Sequence, residues 1–121
     1  MAGCGSPPVR PAQLDPDYAK AYNNRGVSYR NPDQYQTAIN DFTKAIQLDP
    51  DNALAYLNRG VSYRNLGQYQ RAIQDYDKAI QLDPDFALTY SNRGNAYLDQ
   101  GQYQRAIQDY DRAIQTDPDF A

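Results

Sequence analysis

The sequence predicts an all-α protein, a right-handed superhelical stack of antiparallel helix pairs, and three observations carry that expectation. The first is a repeat. Residues 15–48, 49–82 and 83–116 align without a gap, so that Asn24-Arg25-Gly26, Asn58-Arg59-Gly60 and Asn92-Arg93-Gly94 recur 34 residues apart. A fixed period of this length is the mark of one supersecondary unit stacked on copies of itself. The second is helical spacing of the apolar residues within each unit. The third is the supply of aromatic area: twelve tyrosines, three phenylalanines and no tryptophan. A tyrosine buries a large ring yet needs a partner for its hydroxyl, which suits a thin core close to solvent and hence an elongated shape.

Each unit reads as two helices, most plainly in the second. Asp49-Pro50-Asp51 ends the preceding helix and starts the next, because proline cannot continue a helix and aspartate suits the cap and the positive end of the dipole. The first helix then runs from about Asn52 to Asn65. Gly67 supplies the positive φ of a helix C-terminus, and the second helix follows from about Gln68 to Leu82. Tyr56, Gly60 and Tyr63 fall on one stripe of the first helix, and Tyr69, Ala72, Ile73, Tyr76, Ala79 and Ile80 on one stripe of the second. Small Gly60 and Ala72 among the rings let the two helices approach closely. One such hairpin is apolar on more than one side and covers itself only by stacking on its neighbours.

The first unit departs from this pattern at Pro32-Asp33, where the second has Leu66-Gly67. Proline disfavours helical geometry in the residue before it, so the first helix is expected to stop near Asn31.

Composition excludes several classes of function. Fifteen aspartates against twelve lysines and arginines give a net charge of −3, spread along the chain. No basic stripe exists to neutralise a phosphate backbone, so nucleic acid is not an expected partner. Histidine and glutamate are absent, and Cys4 is the single cysteine. A protein without histidine lacks the commonest general acid–base and metal ligand. The paired aspartates recur at every helix junction and lack the glycine-containing loop of a calcium site, so they are read as capping residues. The expectation is therefore no enzyme, no metal and no cofactor. No stretch approaches the roughly 20 apolar residues of a membrane span.

Tyr56, Gly60, Tyr63, Ala72, Tyr76 and Pro84, with their equivalents in the other units, match the pattern W-x2-L-G-x2-Y…A-x3-F…P. On these residues the chain resembles the tetratricopeptide repeat (TPR) family from residue 15 to residue 121. The tryptophan position is always tyrosine and the usual leucine is always the arginine of the Asn-Arg-Gly tripeptide.

The face opposite the buried stripe carries Lys20, Asn23, Asn24, Val27, Arg30 and Asn31, then Leu54, Leu57, Asn58, Val61, Arg64 and Asn65, then Leu88, Ser91, Asn92, Asn95, Leu98 and Asp99. The resemblance implies that these faces line a concave groove that binds an extended peptide or a partner helix. The candidate groove residues are Asn24, Val27, Arg30, Leu54, Leu57, Asn58, Val61, Arg64, Leu88, Asn92 and Asn95. The asparagines offer hydrogen bonds to a ligand backbone, and the leucines offer apolar contact. A subset of the family grips the C-terminal carboxylate of heat-shock chaperones with lysines, an arginine and asparagines. At the matching positions this chain has Asn23, Val27, Asn58, Leu88 and Asn92, of which only Asn58 is retained, so chaperone tails are not the expected ligand.

The arginines sit at the edge of the buried stripe, where the stem packs on rings and the guanidinium needs water or an acceptor. Asp41, Asp75 and Asp109 each follow an arginine by 16 residues on the facing helix. A ladder of ion pairs is therefore expected, Arg25 with Asp41, Arg59 with Asp75 and Arg93 with Asp109, within or between neighbouring units. Arg71 and Arg105, four residues before Asp75 and Asp109, are rival partners worth about 0.2 to 0.5 kcal/mol each.

The ends are read separately. Residues 1–14 have no helical period and are expected to be a disordered leader ending in the remnant of a preceding repeat. The opening Met-Ala-Gly-Cys resembles the cleavage end of a bacterial lipoprotein signal, so a lipid anchor through Cys4 is the alternative to a cytoplasmic location. Residues 117–121 read as the start of a fourth unit. Ile107, Tyr110 and Ile114 are then left at an uncovered end, through which the chain could associate with its own copies as an alternative to groove binding.

Overall fold

The computed structural model describes residues 16–29 and 32–117, without the side chains of Pro16, Asp17, Tyr18 and Pro32. Residues 1–15, which include the expected leader 1–14 with Cys4, the residues Arg30 and Asn31, and residues 118–121 of the expected fourth unit at 117–121 lie outside the described residues. Within them the chain is all helix and turn: α1 (Pro16–Ser28), a short 3-10 helix (Pro32–Gln34), α2 (Tyr35–Leu48), α3 (Ala53–Asn65), α4 (Tyr69–Leu82), α5 (Ala87–Asp99) and α6 (Tyr103–Thr116). Successive helices pack as antiparallel pairs, α1 on α2, α3 on α4 and α5 on α6, and each pair packs on the next through α2 with α3 and α4 with α5. The result is an all-α solenoid.

The local chemistry of the turns explains these boundaries. Gly67 and Gly101 take φ of +78° and +75° after α3 and α5, the left-handed geometry that favours glycine. The first unit has no glycine there, and α1 ends at Ser28, one turn before the expected stop near Asn31; a 3-10 turn at Pro32–Gln34 completes the connection. The aspartates of the junctions do not cap the first helices as expected. Asn52 caps α3, its side chain accepting from the Ala55 N–H at 3.2 Å, and Phe86 stands at that position before α5 without a side-chain cap. Asp49 and Asp83 instead accept from the backbone N–H two residues on, at 3.3 and 3.4 Å, and close the turn.

Each pair is held closely by its glycine. A Cβ at Gly26 would stand 2.6 Å from Cε1 of Phe42, at Gly60 2.6 Å from Cε1 of Tyr76, and at Gly94 2.8 Å from Cε1 of Tyr110. The missing side chain is the space into which the ring of the facing helix fits. The central core gathers Leu57, Ala72, Ile73, Tyr76 and Ala79 from the middle unit with Ala96 from the third. A second cluster joins Ala87, Tyr90 and Ala113, with Ile80 of the preceding unit packed against it. Burying one large apolar side chain is worth roughly 1.5 to 3 kcal/mol, so a core that crosses unit boundaries makes each hairpin depend on its neighbour. Among the described residues no helix is long and apolar enough to cross a membrane.

Candidate functional site

Besides pairing with its own second helix, α1 touches α3 and α3 touches α5. The three first helices therefore stand side by side and present a continuous face. Asn24 is exposed, as are Val27 and Leu88 at 37% each and Leu54 at 45%. Asn58, Val61, Arg64, Asn92 and Asn95 are half-buried. Two open clefts cut this face. One of about 270 Å³ runs between the first and second units and is lined by Val27, Asn58, Val61 and Asn65 with the rings of Tyr29, Tyr35 and Phe42. The other, of about 580 Å³, lies beside Lys20, Asn24, Asn52 and Leu54.

Several side chains on the face already have partners. Asn58 donates through Nδ2 to Oδ1 of Asn23 at 3.1 Å, tying the second unit to the first. Arg64 Nε meets Asp99 Oδ2 at 2.6 Å across the second and third units. The hydroxyl of Tyr110 donates to Asn95 Oδ1. The sequence places Arg64 and Asp99 35 residues apart, one more than the repeat, so their meeting across adjacent units was legible in that spacing.

The sequence puts Leu57 on the groove face, and the structure corrects this: Leu57 is 1% exposed and belongs to the central core with Tyr76 and Ala96. A first helix in a stack is packed by its own second helix and by the next unit as well. The buried arc is accordingly wider than the stripe defined by Tyr56, Gly60 and Tyr63. Asn23 is buried at 5% for the same reason, its carbonyl held by Asn58. Arg30 lies outside the described residues.

The arginines of the recurring tripeptide form forked pairs. Arg25 donates to Asp41 at 2.9 and 2.8 Å, Arg59 to Asp75 at 2.8 and 2.7 Å, and Arg93 to Asp109 at 2.8 and 2.7 Å. All three aspartates are buried. Hydrogen bonds from the arginine to the carboxylate raise the pKa of Arg25, Arg59 and Arg93 above the ordinary value. Burial pushes the Asp75 carboxyl up, opposed by the bonds from Arg59. The remaining nitrogen reaches backward along the stack: Arg59 Nη1 donates to Thr43 at 3.2 Å and Arg93 Nη1 to Asp77 at 2.9 Å. Rings complete the cage, with Arg59 over Tyr56 and Tyr63 and Arg93 over Tyr90 and Tyr97, all within 6 Å. The rivals go elsewhere: Arg71 donates to Gln68 and covers Tyr63, and Arg105 covers Tyr97. The sequence reading places the arginine stems on the rings but does not name the backward bonds, although Thr43 and Asp77 precede the arginines by the same 16 residues.

Among the described residues no group of three His, Cys, Asp or Glu side chains could hold a metal ion. A stack of helix pairs with a continuous first-helix face defines a helical-repeat protein. Models of the tetratricopeptide repeat match residues 19–52 and 87–120, with further matches over 42–74 and, as a TPR repeat, over 62–101. The chain belongs to the tetratricopeptide repeat family.

No curated protein sequence matches the chain. Among solved structures, the chain is similar to the first TPR domain of Spaghetti (RPAP3) bound to the HSP90 peptide SRMEEVD, at 28% identity and a TM-score of 0.82, covering 88% of this chain and 84% of that one. It is similar to the Arabidopsis OM64 TPR domain at 29% identity and a TM-score of 0.82, covering 86% of each chain. It also matches the TPR2AB domain of yeast Sti1 in its pHSP90 complex, at 28% identity and a TM-score of 0.83, over 90% of this chain and 42% of that one.

Proposed function

We propose that this chain is a non-catalytic interaction scaffold, built from units at 15–48, 49–82 and 83–116, that binds an extended peptide segment along the face of α1, α3 and α5. The observation that carries the proposal is the grouping of exposed Leu54, Leu88 and Val27 with Asn24, Asn58 and Asn92 on that continuous face. Exposed leucines gathered on one face mark an interaction surface, and the asparagine amides can both donate to and accept from a ligand backbone. A solved relative of the same fold with an HSP90 peptide bound and another in a pHSP90 complex support peptide recognition as its use.

The chemistry of the face favours a ligand with apolar side chains over a carboxylate terminus. Asn23 and Val27 in the first unit and Leu88 and Asn92 in the third leave Asn58 as the one retained clamp residue. Asp99 further neutralises Arg64, leaving Lys20 as an exposed cation at the edge of the larger cleft.

Fluorescence anisotropy with a panel of labelled peptides tests the proposal. Apolar peptides are expected to bind, and Leu54→Asp with Leu88→Asp, both at exposed positions, is expected to weaken them by about tenfold or more. SRMEEVD is expected to bind more weakly than the best apolar peptide and to be indifferent to amidation of its C-terminus. Binding unchanged in the double variant would overturn the assignment of the face, and a strong preference for the free carboxylate would overturn the ligand chemistry.

A further inference from the structure

We infer that the open face of α6 receives α1 of a second copy of this chain, so that copies stack head to tail with the geometry that already joins the units. The two surfaces that meet inside the chain recur on its first and last described helices. At the junction of the second and third units, Ile80 packs against Ala87 and Tyr90, and Ile73 and Tyr76 share a cluster with Ala96 against which Tyr97 packs. One repeat later, α6 presents Ile107, Tyr110 and Ile114 at the positions of Ile73, Tyr76 and Ile80. Two repeats earlier, α1 carries the half-buried Tyr22 at the position of Tyr90, and the half-buried Tyr29 follows the helix at the position of Tyr97.

Exposure shows what the neighbour supplies. Ile73 is 7% exposed where α5 covers it, and Ile107 is 51% exposed, as is Ile114. These half-exposed isoleucines stand on the face of α6 that corresponds to the covered face of α4.

Charge selects the occupant and its direction. Inside the stack Arg93 spends Nε and Nη2 on Asp109 of its own unit and Nη1 on Asp77 of the unit before. Arg25 spends Nε and Nη2 on Asp41, its side chain is 60% exposed, and among the described residues its Nη1 has no acceptor. Asp111 occupies the position of Asp77, is exposed, and among the described residues has no hydrogen bond or ion pair. The two ends thus carry the two halves of the bond that joins the units within the chain, Arg25 on α1 and Asp111 on α6. Two α6 faces brought together would instead oppose two copies of Asp111, a like-charge contact that disfavours that arrangement. A head-to-tail contact between two copies leaves one face of each kind free, so it grows beyond a dimer.

Sedimentation velocity on the full chain, from micromolar to millimolar concentration and without peptide, tests this independently of the groove. The mass is expected to rise with concentration past that of a dimer. Ile107→Asp with Ile114→Asp, at two exposed positions, is expected to be folded by circular dichroism and monomeric throughout. A fluorescent form of this variant keeps its α1 face, so it is expected to co-sediment with unlabelled wild type and shorten its assemblies. Asp111→Lys is expected to weaken association by about tenfold. A wild type that stays monomeric at every concentration overturns the inference, and so does association that survives the isoleucine variant. A labelled variant that fails to join wild type overturns the head-to-tail direction and points to contact between two α6 faces.

Discussion

The second helices of the middle and third units begin with the same nine residues, Tyr69 to Asp77 and Tyr103 to Asp111, and the structure treats them differently. In α4 Tyr76 is wholly buried, with no hydrogen-bond partner for its hydroxyl among the described residues, and Ile73 is 7% exposed. In α6 Tyr110 is half-buried and reaches Asn95, while Ile107 stands half in solvent. The helix itself forms in both places, so it follows from the nine residues and their own unit. Burial follows from the neighbour. A core position in such a stack is a property of a junction, and paired substitutions at equivalent sites can measure it.

The largest difference is expected at Leu57 and its equivalent Ser91. Leu57→Asp puts a carboxylate into the central core and is expected to cost at least about 4 kcal/mol, enough to unfold most of the stack. Ser91→Asp, at a half-buried position, is expected to cost about 1 kcal/mol or less; chemical denaturation followed by circular dichroism compares the two. Asp75→Ala is expected next, at about 3 kcal/mol, because it strands Arg59 in a partly buried cage with Thr43 as its remaining acceptor. Asp109→Ala is expected to cost less, since Arg93 keeps Asp77. Equal losses in thermal melts would mean that the backward bond contributes nothing.

Gly60→Ala forces a Cβ against the buried ring of Tyr76 and is expected to cost about 1 to 3 kcal/mol. Gly94→Ala should fall below it, as the half-exposed ring of Tyr110 has room to yield. The smallest effects separate the two hydroxyls. Tyr110→Phe loses the bond to Asn95, at about 0.5 to 1 kcal/mol, whereas Tyr76→Phe removes a buried, unpartnered group and is expected to be neutral or slightly stabilising. Burial raises the Tyr76 pKa above its ordinary value, so its contribution holds below the unfolded pKa of about 10 and is lost as pH climbs above it. Tyr76→Phe is accordingly expected to soften the alkaline loss of stability, a change read from melts taken on either side of that pH.

Much of this architecture was legible because the repeat turns sequence distance into position. A gapless alignment fixes the helix pairs, the glycines at the close approaches and the turns at Gly67 and Gly101 without any estimate of propensity. The 16-residue offset from arginine to aspartate likewise places both on facing helices. Leu57 shows where single-helix reasoning stops. On a wheel it lies away from the stripe of Tyr56 and Tyr63, and the next unit's Ala96 joins Ile73 and Tyr76 of its own unit in the cluster that buries it. The exposure of Asn24, Leu54 and Leu88 on the first helices agrees with their place opposite the buried stripe. Asn58, Arg64 and Asn95 turned out to be partly engaged by Asn23, Asp99 and Tyr110, pairings that depend on how the units are set against each other.

The arginine that belongs to two units at once also bears on how the molecule comes apart. Arg59 holds Asp75 and Thr43 together, and Arg93 does the same for Asp109 and Asp77. When one hairpin melts, the next keeps its forked pair but loses the backward anchor and the cover over its rings. In a linear array the strength of such junctions relative to the units sets how far a disturbance travels. Junctions built from a shared cation, stacked tyrosines and a continuous core favour cooperative melting of the three hairpins over fraying one at a time.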